Sequence, residues 1–382
     1  MYILVTGGAG FIGSHTVDLL LKQGHHVRIL DALMPPVHIN GQMPNYVPLE
    51  DVEFIHADVR DKSAWEKALK GVDAVIHLAA YQDYLPDFSK FFHVNTVGTA
   101  MLYEIIVEQQ LPVQKVVVAS SQATYGEAKY LREDGSVIYP QLRPENQLKR
   151  GLWEPLDPET GQALIPTWTD EAFINPHNQY AMSKYTQEMI ALNLGKRYGI
   201  PTVAMRYSIV QGSRQSFRNA YSGVLRIFAQ RLLNGKAPVC YEDGGQLRDY
   251  VSVHDVVRAN VLVLEDKRAD YQVFNVGGDR RITVLDYARQ IAKQAGRDID
   301  PEIPGIYRFG DTRHVFSDVS KLKSLGWTPQ VALSGIIDEY LAWAQQQPGF
   351  KDYYSTAEAQ MKKLGTLRKV EGNADRACAG AH

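Results

Sequence analysis

A doubly wound α/β fold, a parallel sheet with a smaller C-terminal lobe over it, is predicted by three observations. Short apolar runs alternate with helix-like stretches over residues 1–207. A glycine turn follows the first run directly and opens a helical pattern. Later runs end in small or polar residues, where a parallel sheet gathers its ligands, at the carboxyl ends of the strands.

Tyr2-Ile3-Leu4-Val5 is a short apolar run of the kind that makes a buried parallel strand. In the turn after it, Gly7, Gly10 and Gly13 suit a tight bend, close approach to a pyrophosphate and close helix–strand packing. Phe11 and Ile12 lie between the last two, and residues 14–22 read as the helix whose N-terminus faces phosphate. A second strand, residues 26–30, ends at Asp31. A carboxylate there accepts hydrogen bonds from an adenosine ribose and repels a 2′-phosphate, which favours NAD over NADP; helix capping is its alternative use. Val52–His56 is a third strand, with Asp58 and Val59 beyond its end, placed to touch adenine. Residues 74–78 form a fourth, closing at Leu78; Ala79 and Ala80 are small enough to let backbone approach a cofactor. A long helical pattern then carries Asn95, a further cofactor candidate. Residues 115–119 make a fifth strand running into Ser120-Ser121-Gln122-Ala123-Thr124, and Thr202–Tyr207 is the sixth.

The rhythm breaks at residues 127–172, rich in Pro, Gly and charge and carrying Trp153 and Trp168. Two readings are open for this insert: a lid over the site, or a solvated decoration. Beyond residue 207 the alternation loosens into short strand-and-turn segments, a helix over 255–264 and an edge-like strand at 273–276. The domain reading is therefore a nucleotide-binding unit over 1–207, a mainly substrate-binding lobe over 208–348 with some chain crossing back, and a tail over 349–382. That tail turns polar and irregular, with 371–382 read as disordered.

Composition excludes several classes. A formal charge of -2 provides no basic field for nucleic acid. Cys240 and Cys378, far apart, argue against a disulfide framework and a cysteine-built metal site. No apolar run is long enough to span a bilayer, and no basic n-region precedes the first strand, so a cytoplasmic location is expected.

The chemistry is concentrated in Tyr180-Ala181-Met182-Ser183-Lys184. Residues four apart share one face of a helix, and a cation beside a phenol favours the phenolate, giving a general base near neutral pH. Ser121, at a strand's carboxyl end, is placed to bond the oxygen that Tyr180 deprotonates.

With Gly7, Gly10, Gly13, Asp31, Ser121, Tyr180 and Lys184 in order, the chain resembles the extended short-chain dehydrogenase/reductase family, in its branch of nucleotide-sugar epimerases and dehydratases. The resemblance implies a Rossmann-type domain binding NAD and a nucleotide-sugar substrate. It also implies a transient keto-sugar formed as Tyr180 removes a hydroxyl proton, with Lys184 holding the nicotinamide ribose. Arg248-Asp249-Tyr250 and Arg308-Phe309-Gly310-Asp311 are similar to segments whose arginines grip the diphosphate, and residues 238–241, with Tyr241, to the segment near the base. Gln82 and Thr124 are further substrate candidates. Family 4,6-dehydratases carry Asp–Glu directly after the hydroxyl residue; Gln122-Ala123 stand here instead, which favours 4-epimerisation over loss of water. Where relatives commonly place an Asn, this chain has Ile209; with residues 216–221 and the insert, it looks most like the dTDP-L-rhamnose 4-epimerase branch. Asn219 is open to two readings, a sugar-nucleotide contact or a helix cap. The helices around Asn95 and after Tyr180 imply, by the same resemblance, a homodimer.

Overall fold

The computed structural model describes residues 1–39, 41–83, 85–218 and 223–371. Its central sheet has seven strands: β1 (Tyr2–Thr6), β2 (His26–Asp31), β3 (Val52–His56), β4 (Ala74–His77), β5 (Lys115–Ser121), β6 (Thr202–Tyr207) and β7 (Gln272–Val276). They lie in the order β7-β6-β5-β4-β1-β2-β3, every neighbouring pair parallel. The edge-like strand of the sequence reading is thus the seventh member of this sheet, reached by the chain crossing back from the second lobe. β5 runs on to Ser121, which carries that hydroxyl to the strand's very end.

Alternation along the strands divides the core. Ile3 and Val5 face a layer made by α1 (Phe11–Lys22) and a helix at Val253–Glu265, with Val17, Leu20, Val257 and Val261. Leu4 faces the opposite layer, where Leu102, Ile105 and Ile106 of α2 (Gly98–Glu108) and Ala191 of α3 (Gln179–Tyr198) pack. Val5 pairs in register with Ile29 of β2 and Ile76 of β4. The glycine turn after β1 therefore opens where the strand order reverses, the crevice at which such sheets bind ligands.

The second lobe has its own apolar core, formed by helices at Val224–Leu233 and Val284–Gln294 with α5 (Leu333–Gln345), α4 being the helix at Val253–Glu265. The stretch read as an irregular tail is built differently. It carries α6 (Tyr354–Lys363) and a strand at Leu367–Lys369 paired antiparallel with Ile306–Arg308. Tyr354, Ala357 and Met361 are buried at helical spacing, a face too short to stand out from its polar surroundings. Residues 372–382, which include Cys378 and most of the segment read as disordered, lie outside the described residues.

The insert is not a solvated decoration. Three short strands (Tyr130–Leu131, Val137–Ile138, Ile165–Pro166) frame a buried ionic knot. Arg143 donates to Glu127 at 3.1 Å and to both oxygens of Glu242 at 3.0 and 2.9 Å, and Arg313 reaches Glu242 at 2.9 Å and Glu154 at 2.6 Å. These pairs brace the insert against the second lobe.

Candidate active site

Two adjoining cavities lie over the carboxyl ends of the strands. The first, about 360 Å³, is lined by Gly7, Gly10, Phe11, Ile12, Gly13, Asp31, Asp58, Val59, Leu78, Ala79 and Ala80, with Tyr180 and Lys184 at one end. Its floor requires glycine. Gly7 has φ +68° and a Cβ there would meet the Ala79 amide at 2.9 Å; a Cβ on Gly13 would lie 2.0 Å from the Gly7 carbonyl. Asp31 is buried, accepting from the Ala9 amide at 3.0 Å and the Leu33 amide at 2.9 Å, so the same carboxylate that faces the cavity also shapes the turn. His38, 4.0 Å from Asp31, lines this end as well. The shape suits a dinucleotide: a cradle with no room for a side chain, a carboxylate at one end and a phenol with an amine at the other.

The second cavity, about 440 Å³, is lined by Ser121, Gln122, Asn178, Ile209, Tyr241, Glu242, Arg248, Arg308 and Tyr354, and Tyr180, Gln82, Phe11 and Ile12 line both. Tyr180 and Lys184 stand one turn apart on α3, whose N-terminus is capped by Asn178 Oδ1 accepting from the Ala181 amide at 2.8 Å. Ser121 Oγ accepts from the Ala123 amide at 3.1 Å, which fixes the turn beyond β5. Gln122 is buried there, and its Oε1 has no hydrogen-bond partner among the described residues. The buried polar groups around Lys184 are paired by contrast: Nζ donates to Gln187 Oε1 at 2.5 Å, and Gln187 Nε2 to Thr99 at 2.8 Å. His77 bridges Thr99 at 2.9 Å and Thr6 at 2.6 Å, and Thr6 accepts from the Ala79 amide at 3.1 Å. The amine is thereby tied to the strands on both sides of the crevice.

Burial adds to the sequence expectation for the pair. Burial pushes the Tyr180 phenol up to about 12, with the Ser121 hydrogen bond acting in the opposite sense. Burial pulls Lys184 down to about 7, against the attraction of Glu188. Burial thus opposes the charge on both groups, an influence that helical spacing does not report. Both groups are removed from water, and each resists its charged form.

Some candidates are placed elsewhere. Asn95 and Thr124 are fully buried and line neither cavity. Asn95 clamps the loop after β4 instead, accepting from the Tyr81 amide at 2.8 Å and donating to Ser183 at 2.9 Å; it sits on a wide π-helical turn, Phe92–Val97. Thr124 donates to the Ser121 carbonyl at 2.9 Å, a local turn bond. Asn219 lies outside the described residues. Arg248 is held by carbonyls of Leu247, Arg313 and Thr312 at 2.7–2.9 Å, and Arg308 bonds Asp311 at 2.7 Å beside the Tyr241 ring. Tyr354, Glu242 and Gln187 were missed. Tyr354 comes from the stretch read as tail, and the other two belong to packing that no local motif announces.

The comparisons agree with this geometry. Residues 3–147 and 158–277 match the model of the NAD dependent epimerase/dehydratase family. A dTDP-L-rhamnose 4-epimerase of Burkholderia thailandensis is 34% identical over 351 residues, covering 90% of this chain and 95% of that one. A UDP-glucose 4-epimerase of Halalkalibacterium halodurans is 29% identical over 369 residues, 91% and 97% covered. Among solved structures, a Thermotoga maritima UDP-glucose 4-epimerase with UDP-glucose aligns with a TM-score of 0.74 at 28% identity, covering 91% and 99%. A Thermus thermophilus UDP-glucose 4-epimerase with NAD aligns at 0.70 and 30%, covering 91% and 100%. No helix among the described residues is long and apolar enough to cross a membrane. The cradle, the Tyr–Lys pair and these matches together place the chain in the NAD dependent epimerase/dehydratase family, in its nucleotide-sugar epimerase branch.

Proposed function

We propose that the chain is a nucleotide-sugar 4-epimerase, with dTDP-L-rhamnose as the best-supported substrate. The observation that carries the reaction type is the placement of Tyr180 on both cavities, beside Ser121, with Gln122-Ala123 following that serine. Among the described residues lining the second cavity the carboxylates are Glu242 and Asp311, and arginines engage both. No free acid–base pair stands there to expel water.

The dinucleotide, held by the glycine turn, Asp31 and residues 78–80, supplies a hydride acceptor and donor and, when oxidised, a positive charge beside the phenol. Tyr180 Oη takes the proton of the sugar's 4-hydroxyl and later returns it to the same oxygen, once the 4-keto sugar has turned its opposite face toward the dinucleotide site. Ser121 donates to the oxygen as its charge changes. Lys184, fixed by Gln187, orients the ribose and stabilises the phenolate. Arg248 and Arg308 meet the diphosphate, and Tyr241 the base, on the second cavity's far wall. The preference for dTDP-L-rhamnose rests on the Burkholderia relative, whose name it is, together with Ile209 in the cavity wall. UDP-hexose is the competing substrate, supported by relatives of that name.

A homodimer is part of the proposal: α2, with the π-helical turn before it, and α3 pack side by side and leave Val97, Met182 and Met189 exposed, which light scattering would test. For the chemistry, Tyr180→Phe is expected to lower turnover by at least about 10³-fold while NAD stays bound. Unchanged turnover would remove Tyr180 from the mechanism, and loss of cofactor with it would make the residue a binding group.

A further inference from the structure

Four elements meet at a cluster whose residues line neither cavity. His15 comes from α1, Ser213 from the loop after the Ile209–Gln211 strand, His254 from α4 and Glu339 from α5. One ligating atom from each of His15, His254 and Glu339 lies within 4.8 Å of the others, and the two rings stand 5.3 Å apart, edge to face.

The hydrogen-bond accounting is short by one proton. His15 Nδ1 lies 3.0 Å from the Phe11 carbonyl, which only accepts, so Nδ1 carries the hydrogen and Nε2 presents a lone pair. That Nε2 is 3.1 Å from Ser213 Oγ, and the same Oγ is 2.5 Å from Glu339 Oε1. The hydroxyl has a single proton for two acceptors. If it goes to the carboxylate, His15 Nε2 faces an oxygen lone pair; if it goes to His15, two oxygens are left in bare contact. Glu339 is otherwise supplied, by one His254 Nε2 N–H shared between both oxygens at 3.1 Å and by the Ser213 amide at 3.2 Å, so the lone pair left short is that of His15 Nε2. Arg214, the nearest cation of this loop, is turned onto Asp18 at 2.7 Å. His15 is 6% exposed, so water reaches it poorly, while His254 and Glu339 are open enough to admit an ion.

We propose that His15, His254 and Glu339 form a divalent-cation site of the imidazole–carboxylate class. A cation satisfies the His15 lone pair that the hydroxyl proton, held by Glu339, does not, and it takes the carboxylate as a second ligand. Two imidazoles and a carboxylate are a zinc-type donor set, and an imidazole whose other nitrogen is tied to a backbone carbonyl is the arrangement metal-binding histidines adopt. Ligand atoms about 2.0–2.2 Å from such an ion require the three side chains to draw in slightly, with water or Ser213 as fourth partner. The site joins α1, which starts in the glycine cradle, to the loop whose Gln215 and Ser216 line the first cavity. Its occupant braces two walls of that cavity and leaves the reacting atoms untouched.

The test uses untagged, EDTA-dialysed full-length protein titrated with Co²⁺ and then Zn²⁺. A saturable, stoichiometric visible Co²⁺ spectrum is expected, displaced by Zn²⁺, together with a rise in melting temperature on adding Zn²⁺. Both are expected to vanish in His254→Gln and in Glu339→Gln and to persist in His93→Gln, an exposed histidine elsewhere. Circular dichroism and retained NAD verify that the variants fold. An absence of saturable binding, or a spectrum and melting shift unaltered in both variants, would overturn the assignment.

Discussion

Lys184→Met isolates the energetic strain built into the site. The amine is 1% exposed, and its pKa falls from the ordinary 10.5 to about 7 because burial opposes the ammonium. At about 1.4 kcal/mol per unit, the ammonium is disfavoured by at most about 5 kcal/mol. The thioether removes that term but leaves Gln187 Oε1 without its donor, which returns about 1–3 kcal/mol. The variant is therefore more stable near pH 7 by about 2–4 kcal/mol while losing activity. The sign follows from linkage. Above about 10.5 the amine is neutral in both states and the term is absent. As pH falls toward 7 the unfolded chain binds the proton first, so the wild-type protein loses stability; below 7 the loss levels off. Melting temperatures of cofactor-free wild type and variant, measured from pH 6.5 to 10.5, are the assay. Parallel curves across that range would refute the claim that the buried amine resists its charge.

The remaining outcomes concern the groups that support the site. Gln187→Leu removes the acceptor of Lys184 Nζ and is expected to lower kcat by up to about 10²-fold and to move the pH–rate profile, with little change in KM; a shift in KM alone would count against a positioning role. Arg143→Met leaves Glu127 and Glu242 buried without their partner and is expected to destabilise by about 3–5 kcal/mol. Because Glu242 lines the second cavity, KM for the nucleotide sugar should rise as well, and steady-state kinetics would read it.

Legibility in the sequence followed locality. The glycine turn, Asp31 and the Tyr180–Lys184 pair each lie within one strand end or one helical turn, so spacing alone places them. Asn95 and Thr124 could be located on their elements, but which neighbours their amide and hydroxyl would meet depends on tertiary packing: Asn95 bonds Ser183, far along the chain. The burial of Tyr180 and Lys184 was out of reach for a related reason. Spacing reports that a cation is near a phenol, and only burial reports that both charges are desolvated. Tyr354 had a signal, its spacing with Ala357 and Met361, submerged in a polar stretch. The buried knot of Arg143, Glu242 and Arg313 joins residues from distant segments, and no local pattern marks them.

The most direct test of the account is incubation of the purified protein, with and without added NAD, with dTDP-, UDP-, GDP- and CDP-sugars, followed by chromatography and mass spectrometry. A new peak of unchanged mass is predicted, from dTDP-L-rhamnose first, without net consumption of NAD. A product lighter by one water or one carbon dioxide, or turnover that consumes reduced cofactor in step with product, would contradict it.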